Sequence, residues 1–202
     1  MKKVILFIFC AMALVANAQM TETFDSNSWG WTEYSGNEGD AVIKDGVLHL
    51  ESKKDKANDI QDVLDGICSV AYVPVDPTKG FKLNCEAFMD KVDYDKSFGI
   101  VLDYEDDWNC IILLVKRDNA YFYRIKDGKV TRYMRSQFKL GKQKKASLDI
   151  NVKYIDGQLE LRVNDIQALK ARVSDINSNG IGFFAFGKVK VDFDNVTISD
   201  LF

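Results

Sequence analysis

The sequence predicts an all-β protein, a two-sheet antiparallel jelly-roll sandwich with at most one or two short helical turns. Three observations carry this. Asp-Gly pairs flanked by alternating runs occur at Asp45-Gly46, Asp127-Gly128 and Asp156-Gly157, and both residues of such a pair tolerate the positive φ of a tight hairpin. Strand-length apolar runs, alternating or continuous, dominate the chain. Helical spacing shows in one short segment, "NDIQDVLDGI".

The first element is not part of the fold. "MKKVILFIFCAMALVANAQ" has a positive start at Lys2 and Lys3, an apolar stretch from Val4 to Val15, and the A-x-A site Ala16-Asn17-Ala18. That is the layout of a secretory signal peptide, too short for a comfortable span. Cleavage after Ala18 leaves residues 19–202 as one sandwich domain, exported to the periplasm or beyond. Cys10 lies inside the apolar stretch with no cysteine at the cut, so a lipid anchor is not expected.

"AVIKDGVLHLES" reads as the first hairpin. In "NDIQDVLDGI", Ile60, Val63, Leu64 and Ile67 fall at helical spacing, with Asn58 or Asp59 as caps and Gly66 as a stop, a turn or two of helix. Pro74 and Pro77 sit in "VPVDPTKG", which must be an edge or a connection. "FGIVL" and "CIILLV" are apolar at both parities, as in the middle of a layered sandwich. "YFYRIKDGKVTRYM" is the second hairpin. "ASLDINVKYI" and "QLELRV" form the third, with Ala146, Leu148, Ile150, Val152, Tyr154, Leu159, Leu161 and Val163 facing in. "DIQALKARV" could also be drawn as a helix, but Asn164-Asp165 after a clear strand reads as a further hairpin turn. Toward the end, the apolar parity shifts from Val189, Val191 and Phe193 to Val196 and Ile198, which places a bulge near Asp194-Asn195.

Charge narrows the partners. The chain has 27 Lys and Arg against 30 Asp and Glu, a formal charge of −3 that loss of Lys2 and Lys3 makes more negative. Nucleic acid and anionic membrane are therefore not expected, and membrane insertion is not expected because no later stretch is long and apolar enough; oligomeric state stays open. "KKDK" and "KQKK" read as polar loops. Cys68, Cys85 and Cys110 are three in number and lack a C-x-x-C, so no complete disulfide framework exists; one bridge after export is open. His49 is the single histidine, and G-x-S-x-G, H-E-x-x-H, P-loop and G-x-G-x-x-G patterns are absent.

In order, "FDSNSWGWTEY", "IKDGVLHLES", "VPVDPTKGFKLNCEAF", "FGIVLDYEDDWNCIILLV", "LRVND" and "NGIGFFAFGKVKVDFDNVTI" resemble the concanavalin A-like lectin/glucanase superfamily. The nearest likeness is to exported bacterial sandwiches of the laminin-G-like and 3-keto-disaccharide hydrolase type. The resemblance implies two curved sheets, with carbohydrate bound or processed on the concave face or its rim; fold alone does not fix function. Glucanases of that superfamily carry E-x-D-x-x-E on one strand face. Here the pattern begins at Glu105 and Asp107 but meets Cys110 in place of the second glutamate, which counts against that activity.

Three sets of residues remain as candidates. Trp108, Tyr121, Tyr123, Arg124 and Tyr133 are expected to bind carbohydrate, because sugars offer an apolar C–H face and a rim of hydroxyls to aromatic and guanidinium groups. Arg132 and Arg135 interleave with the same tyrosines, and Trp29, Trp31 and Tyr34 form a second aromatic group that either suits a sugar or plugs the core. Glu86 and Asp103 are the least unfavourable acid/base pair if two carboxylates converge, as a glycoside or keto-sugar hydrolase requires. Asp103, Glu105 and Asp107 in "DYEDDWN" are a calcium alternative, against the reading of a charged hairpin tip with no cofactor. A structural domain without a small ligand is the third reading.

Overall fold

The computed structural model describes residues 19–54, 60–90, 96–140, 146–174 and 176–201. The expected signal peptide, the Asn58 and Asp59 caps, the end of "KKDK" and the "KQKK" loop lie outside them. The strands are β1 (Met20–Glu22), β2 (Tyr34–Ser35), β3 (Gly39–Lys44), β4 (Val47–Ser52), β5 (Ile67–Tyr72), β6 (Phe81–Met89), β7 (Ser97–Asp106) and β8 (Asn109–Lys116). They continue with β9 (Asn119–Lys126), β10 (Lys129–Gln137), β11 (Ala146–Ile155), β12 (Gln158–Val163), β13 (Ile166–Arg172), β14 (Gly180–Phe186) and β15 (Val189–Asp200). Two 3-10 segments, Ile60–Asp65 and Pro77–Lys79, are the helical turns.

Every pairing is antiparallel. One sheet runs β13-β12-β11-β6-β15-β4-β3-β2, with β1 added beside β15; the other runs β10-β9-β8-β7-β14-β5. This is the concanavalin A-like jelly-roll sandwich. The three Asp-Gly turns close β3-β4, β9-β10 and β11-β12 with positive φ at both residues, and Asn164-Asp165 closes β12-β13 in the same way. The expected bulge is present in β15. Register shifts between Asp194 and Thr197, Asn195 has φ +52°, and β1 takes over from β4 as the neighbour of β15 beyond it.

The core lies between the sheets. β11 and β6 alternate strictly between buried and more open positions, so one parity of each enters the core beside Phe98, Phe122, Phe183 and Phe193. Phe183 and Phe193, from opposite sheets, stack at 4.3 Å between ring centroids, and burying each such side chain contributes about 2 kcal/mol. Trp31 is buried against Phe24 and Phe183, while Trp29 lies half-covered on Trp31. The preceding loop is pinned from within. The buried Glu22 carboxylate accepts from Phe24 N, Ser28 Oγ and Trp29 N, and Asn27 bridges the backbone of Trp31.

β7 and β8 are buried at both parities, as their sequences require. The second covering comes from the chain itself. Val63 and Leu64 of the first 3-10 segment pack on an outer cluster of Val101, Cys110, Ile112, Leu114, Tyr123, Ile125, Phe184 and Phe186. Gly66 ends that segment where a Cβ would meet the Phe184 ring at 1.9 Å; nothing larger fits. Cys68, Cys85 and Cys110 are free thiols. Burial pushes the Cys110 thiol up to about 12 and the other two well above their usual value.

Candidate functional site

The outer face of the six-stranded sheet carries side chains in rows set by register. One row runs Arg135, Tyr121, Leu114, Gly99, Phe184, Cys68; the next runs Tyr133, Tyr123, Ile112, Val101, Gly182, Val70. A third begins Val130, Ile125, Cys110. The tyrosines meet because of a bulge in β10. Register slips by one residue between Val130 and Arg132, and that slip places Tyr133 opposite Tyr123 and Arg135 opposite Tyr121. The three phenol rings lie 5.3–6.3 Å apart. Tyr133 is 38% exposed, Tyr123 is buried, and Tyr121 lies between, with Lys116 Nζ 5.6 Å from its ring centroid. Burial raises the Tyr123 and Tyr133 phenols above their usual value.

At one end of this face, the β7-β8 tip leans on the β9-β10 tip. Gly128 N donates to the Trp108 carbonyl, and Trp108 lies so close over Gly128 that a Cβ there would strike the indole at 2.6 Å. The indole remains 60% exposed. It borders a groove of about 460 Å³ floored by Cys68, Val101, Cys110, Ile112, Ile125 and Phe184, and walled by Tyr34, Leu64, Tyr104, Glu38 and Asp107. Tyr104 donates its hydroxyl proton to Asp107 at 2.8 Å, and Lys54 pairs with Glu38 at 3.1 Å. Burial and the Asp107 carboxylate both raise the Tyr104 phenol. At the opposite end, a shallow cavity of about 700 Å³ is lined by Arg117, Asp118, Asn119, Arg135, Gln137, Phe138 and Lys139. Arg135 Nε donates to Asn119 Oδ1 at 2.8 Å.

The expected sugar residues divide. Trp108, Tyr121, Tyr123 and Tyr133 lie on this face. Arg124 does not: alternation along β9 turns it to the other side, where it pairs with Asp103 at 2.6 Å. Arg132 follows it, opposite Arg124 and stacked on Phe122. The arginine beside the tyrosines is Arg135.

Asp103 and Glu86 do not converge. Asp103 sits in an irregular stretch of β7 with φ +50°, which swings its side chain out of the outer row. Besides Arg124 it accepts from the backbone N–H groups of Asn177 and Ser178, both at 2.8 Å, and is 3% exposed. Glu86 belongs to the other sheet, on the outer face of β6 between Asp149 and Asp194. The calcium set is likewise dispersed: Asp103 faces Arg124, Asp107 accepts from Tyr104, and Glu105 is exposed. Among the described residues no three His, Cys, Asp or Glu side chains gather as a metal site. His49 stands on the outer face of the nine-stranded sheet, 2.6 Å from Asp192 Oδ1 and 3.1 Å from the Lys44 carbonyl. No described helix is long and apolar enough to cross a membrane.

Lys116 and Tyr104 are not expected at the site from sequence; Arg135 groups there with Arg124 and Arg132 among the tyrosines, and Tyr34 with Trp29 and Trp31, without being chosen. Alternation from Tyr121 and Tyr123 excludes Arg124 from their face, but choosing Arg135 over Arg132 requires the β10 bulge, for which the sequence carries no turn residue.

No protein-family model matches the chain, and no curated protein does. Solved structures match the fold. The catalytic domain of an endo-1,3-beta-glucanase (laminarinase) from Thermotoga petrophila superposes with a TM-score of 0.56 at 10% identity, covering 91% of this chain and 97% of that one. A legume lectin-like domain from Entamoeba histolytica gives 0.59 at 13% identity over 85% and 90%. A carbohydrate binding module from Bacillus subtilis gives 0.53 at 15% identity over 84% and 95%.

Proposed function

We propose that the chain is an exported saccharide-binding module that uses the outer face of its six-stranded sheet, with Trp108, Tyr121, Tyr123 and Tyr133 as the contact surface. The observation that carries this is the exposure of Trp108 and Tyr133 on a single face beside an apolar-floored groove. Aromatic rings that stay half-wet offer the C–H faces of sugars an apolar platform, while Arg135, Asn119 and Tyr104 supply hydrogen-bonding groups around it. The matched structures include proteins named for binding or cleaving carbohydrate, which supports a sugar-related role on this fold. Residues 1–18 supply the export signal, so a secreted preparation should begin at Gln19. A glycan array followed by titration calorimetry tests the reading. Binding that falls at least tenfold in Trp108→Ala or Tyr133→Ala, with melting unchanged, supports it; failure to bind any array member overturns it.

A second reading, glycoside hydrolysis, is favoured by one observation: Glu38 and Asp107 line the same groove as Trp108. Paired carboxylates across a sugar site perform such cleavage, although both are here engaged, by Lys54 and by Tyr104. Turnover of a disaccharide panel that is abolished by Glu38→Gln or Asp107→Asn would favour this reading over simple binding.

A further inference from the structure

We infer that the saccharide taken by this face is anionic, with its carboxylate or sulfate held at the Arg135 end and its neutral rings on the tyrosines and Trp108. This rests on the saccharide-binding reading and names the class of sugar. The chain as a whole is acidic, with 30 Asp and Glu against 27 Lys and Arg, yet the two ends of this face differ in sign. The groove at the Trp108 end is bordered by Glu38 and Asp107. The cavity at the other end is lined by Arg117, Arg135 and Lys139 against one acid, Asp118, and Lys116 lies beside it over Tyr121.

The basic end is continuous with the tyrosine platform. Arg135 stands opposite Tyr121, and Asn119 stands opposite both Gln137 and Lys116, so cavity and rings belong to neighbouring rows. The cavity of about 700 Å³ lies in the range of small-ligand sites. At about 3.3 Å per residue, Asn119 to Ile125 spans roughly 20 Å, long enough for an oligosaccharide. Asn119 holds Arg135 by its Nε, which orients the planar guanidinium. An oriented guanidinium binds carboxylate or sulfate in a forked geometry that a neutral hydroxyl cannot match. At the Trp108 end Glu38 is paired with Lys54, but Asp107 accepts from a neutral phenol, which does not cancel its charge; it repels the same group, so the charge arrangement also sets the direction in which the sugar lies.

The test uses oligosaccharides containing glucuronate, galacturonate or mannuronate, their neutral methyl esters, and sulfated galactan oligosaccharides, titrated into the secreted protein at low and high salt. The expected result is at least tenfold tighter binding of an acidic oligosaccharide than of its neutral counterpart. Salt should weaken that advantage, and Arg135→Ala or Lys139→Ala should remove most of it while melting stays unchanged. Preference for the uronates or for the sulfated arm identifies the anionic group. Equal binding of ester and acid, or a preference untouched in Arg135→Ala, overturns the anionic assignment and leaves saccharide binding standing. No binding of any of these, with none on the glycan array, overturns the underlying reading and this one with it.

Discussion

Asp103 shows how a residue type can suggest chemistry and serve the fold. Its carboxylate is spent on Arg124 and on two backbone N–H groups of the segment leading into β14, which ties the β7 bulge to the loop that crosses the sandwich end. Removing one member of a buried pair leaves the other charged and without its partner, which costs about 3–5 kcal/mol. Asp103→Ala should therefore lose that much stability in urea titration, and Arg124→Met should also destabilise but cost less, because the carboxylate left behind keeps the Asn177 and Ser178 N–H groups. A wild-type denaturation midpoint in Asp103→Ala would contradict the assignment. Arg124 was expected beside the tyrosines because it is adjacent to Tyr123 in sequence, yet adjacency in a strand means opposite faces.

The β9-β10 hairpin decides the composition of the site at the element scale. Its Asp127-Gly128 turn is legible from two residues, and alternation shows that Tyr121 and Tyr123 share a side. The side of Tyr133 and Arg135 is not, because a bulge that depends on packing displaces their register by one. Deleting Thr131, which has no partner in the β9-β10 register, removes the bulge but leaves Tyr133 opposite Tyr123, whereas inserting an alanine after Arg132 displaces Tyr133 and Arg135 by one and turns them inward. The insertion variant should lose saccharide binding and part of its stability, while the deletion variant should keep binding; retained binding in the insertion variant would show that these two residues are not in the contact surface. The phenols offer a second check. Burial raises Tyr123 and Tyr133 above 10, so their neutral forms are favoured in the folded state. That contribution is complete below pH 10 and is lost as pH climbs through the raised values. Ultraviolet titration of the native protein should show these two ionising later than in urea.

At the scale of the whole molecule, fold class was legible because its determinants are local. Asp-Gly turns, alternation in β11 and β12, and a parity shift in β15 each act within a few residues, and each marks its own position. "DIQALKARV" could have been drawn as a helix, and Asn164-Asp165 correctly reads it as β13. The site was less legible because it is made by cross-strand rows. Glu86 and Asp103 look equivalent in sequence, but strand order places them on different sheets. The groove depends on a 3-10 segment returning across a sheet that its own spacing, Val63, Leu64 and Ile67, does not point to.

Saccharide binding is assigned to one face of the sandwich, and affinity electrophoresis tests this most directly. Wild-type protein and a Trp108→Ala/Tyr133→Ala double variant should be run through gels containing a panel of neutral and acidic soluble polysaccharides, with melting curves taken in parallel. The account predicts that at least one polysaccharide slows the wild type and that the double variant, melting as the wild type does, runs unhindered. Equal retardation of both proteins, or no retardation by any polysaccharide, would contradict it.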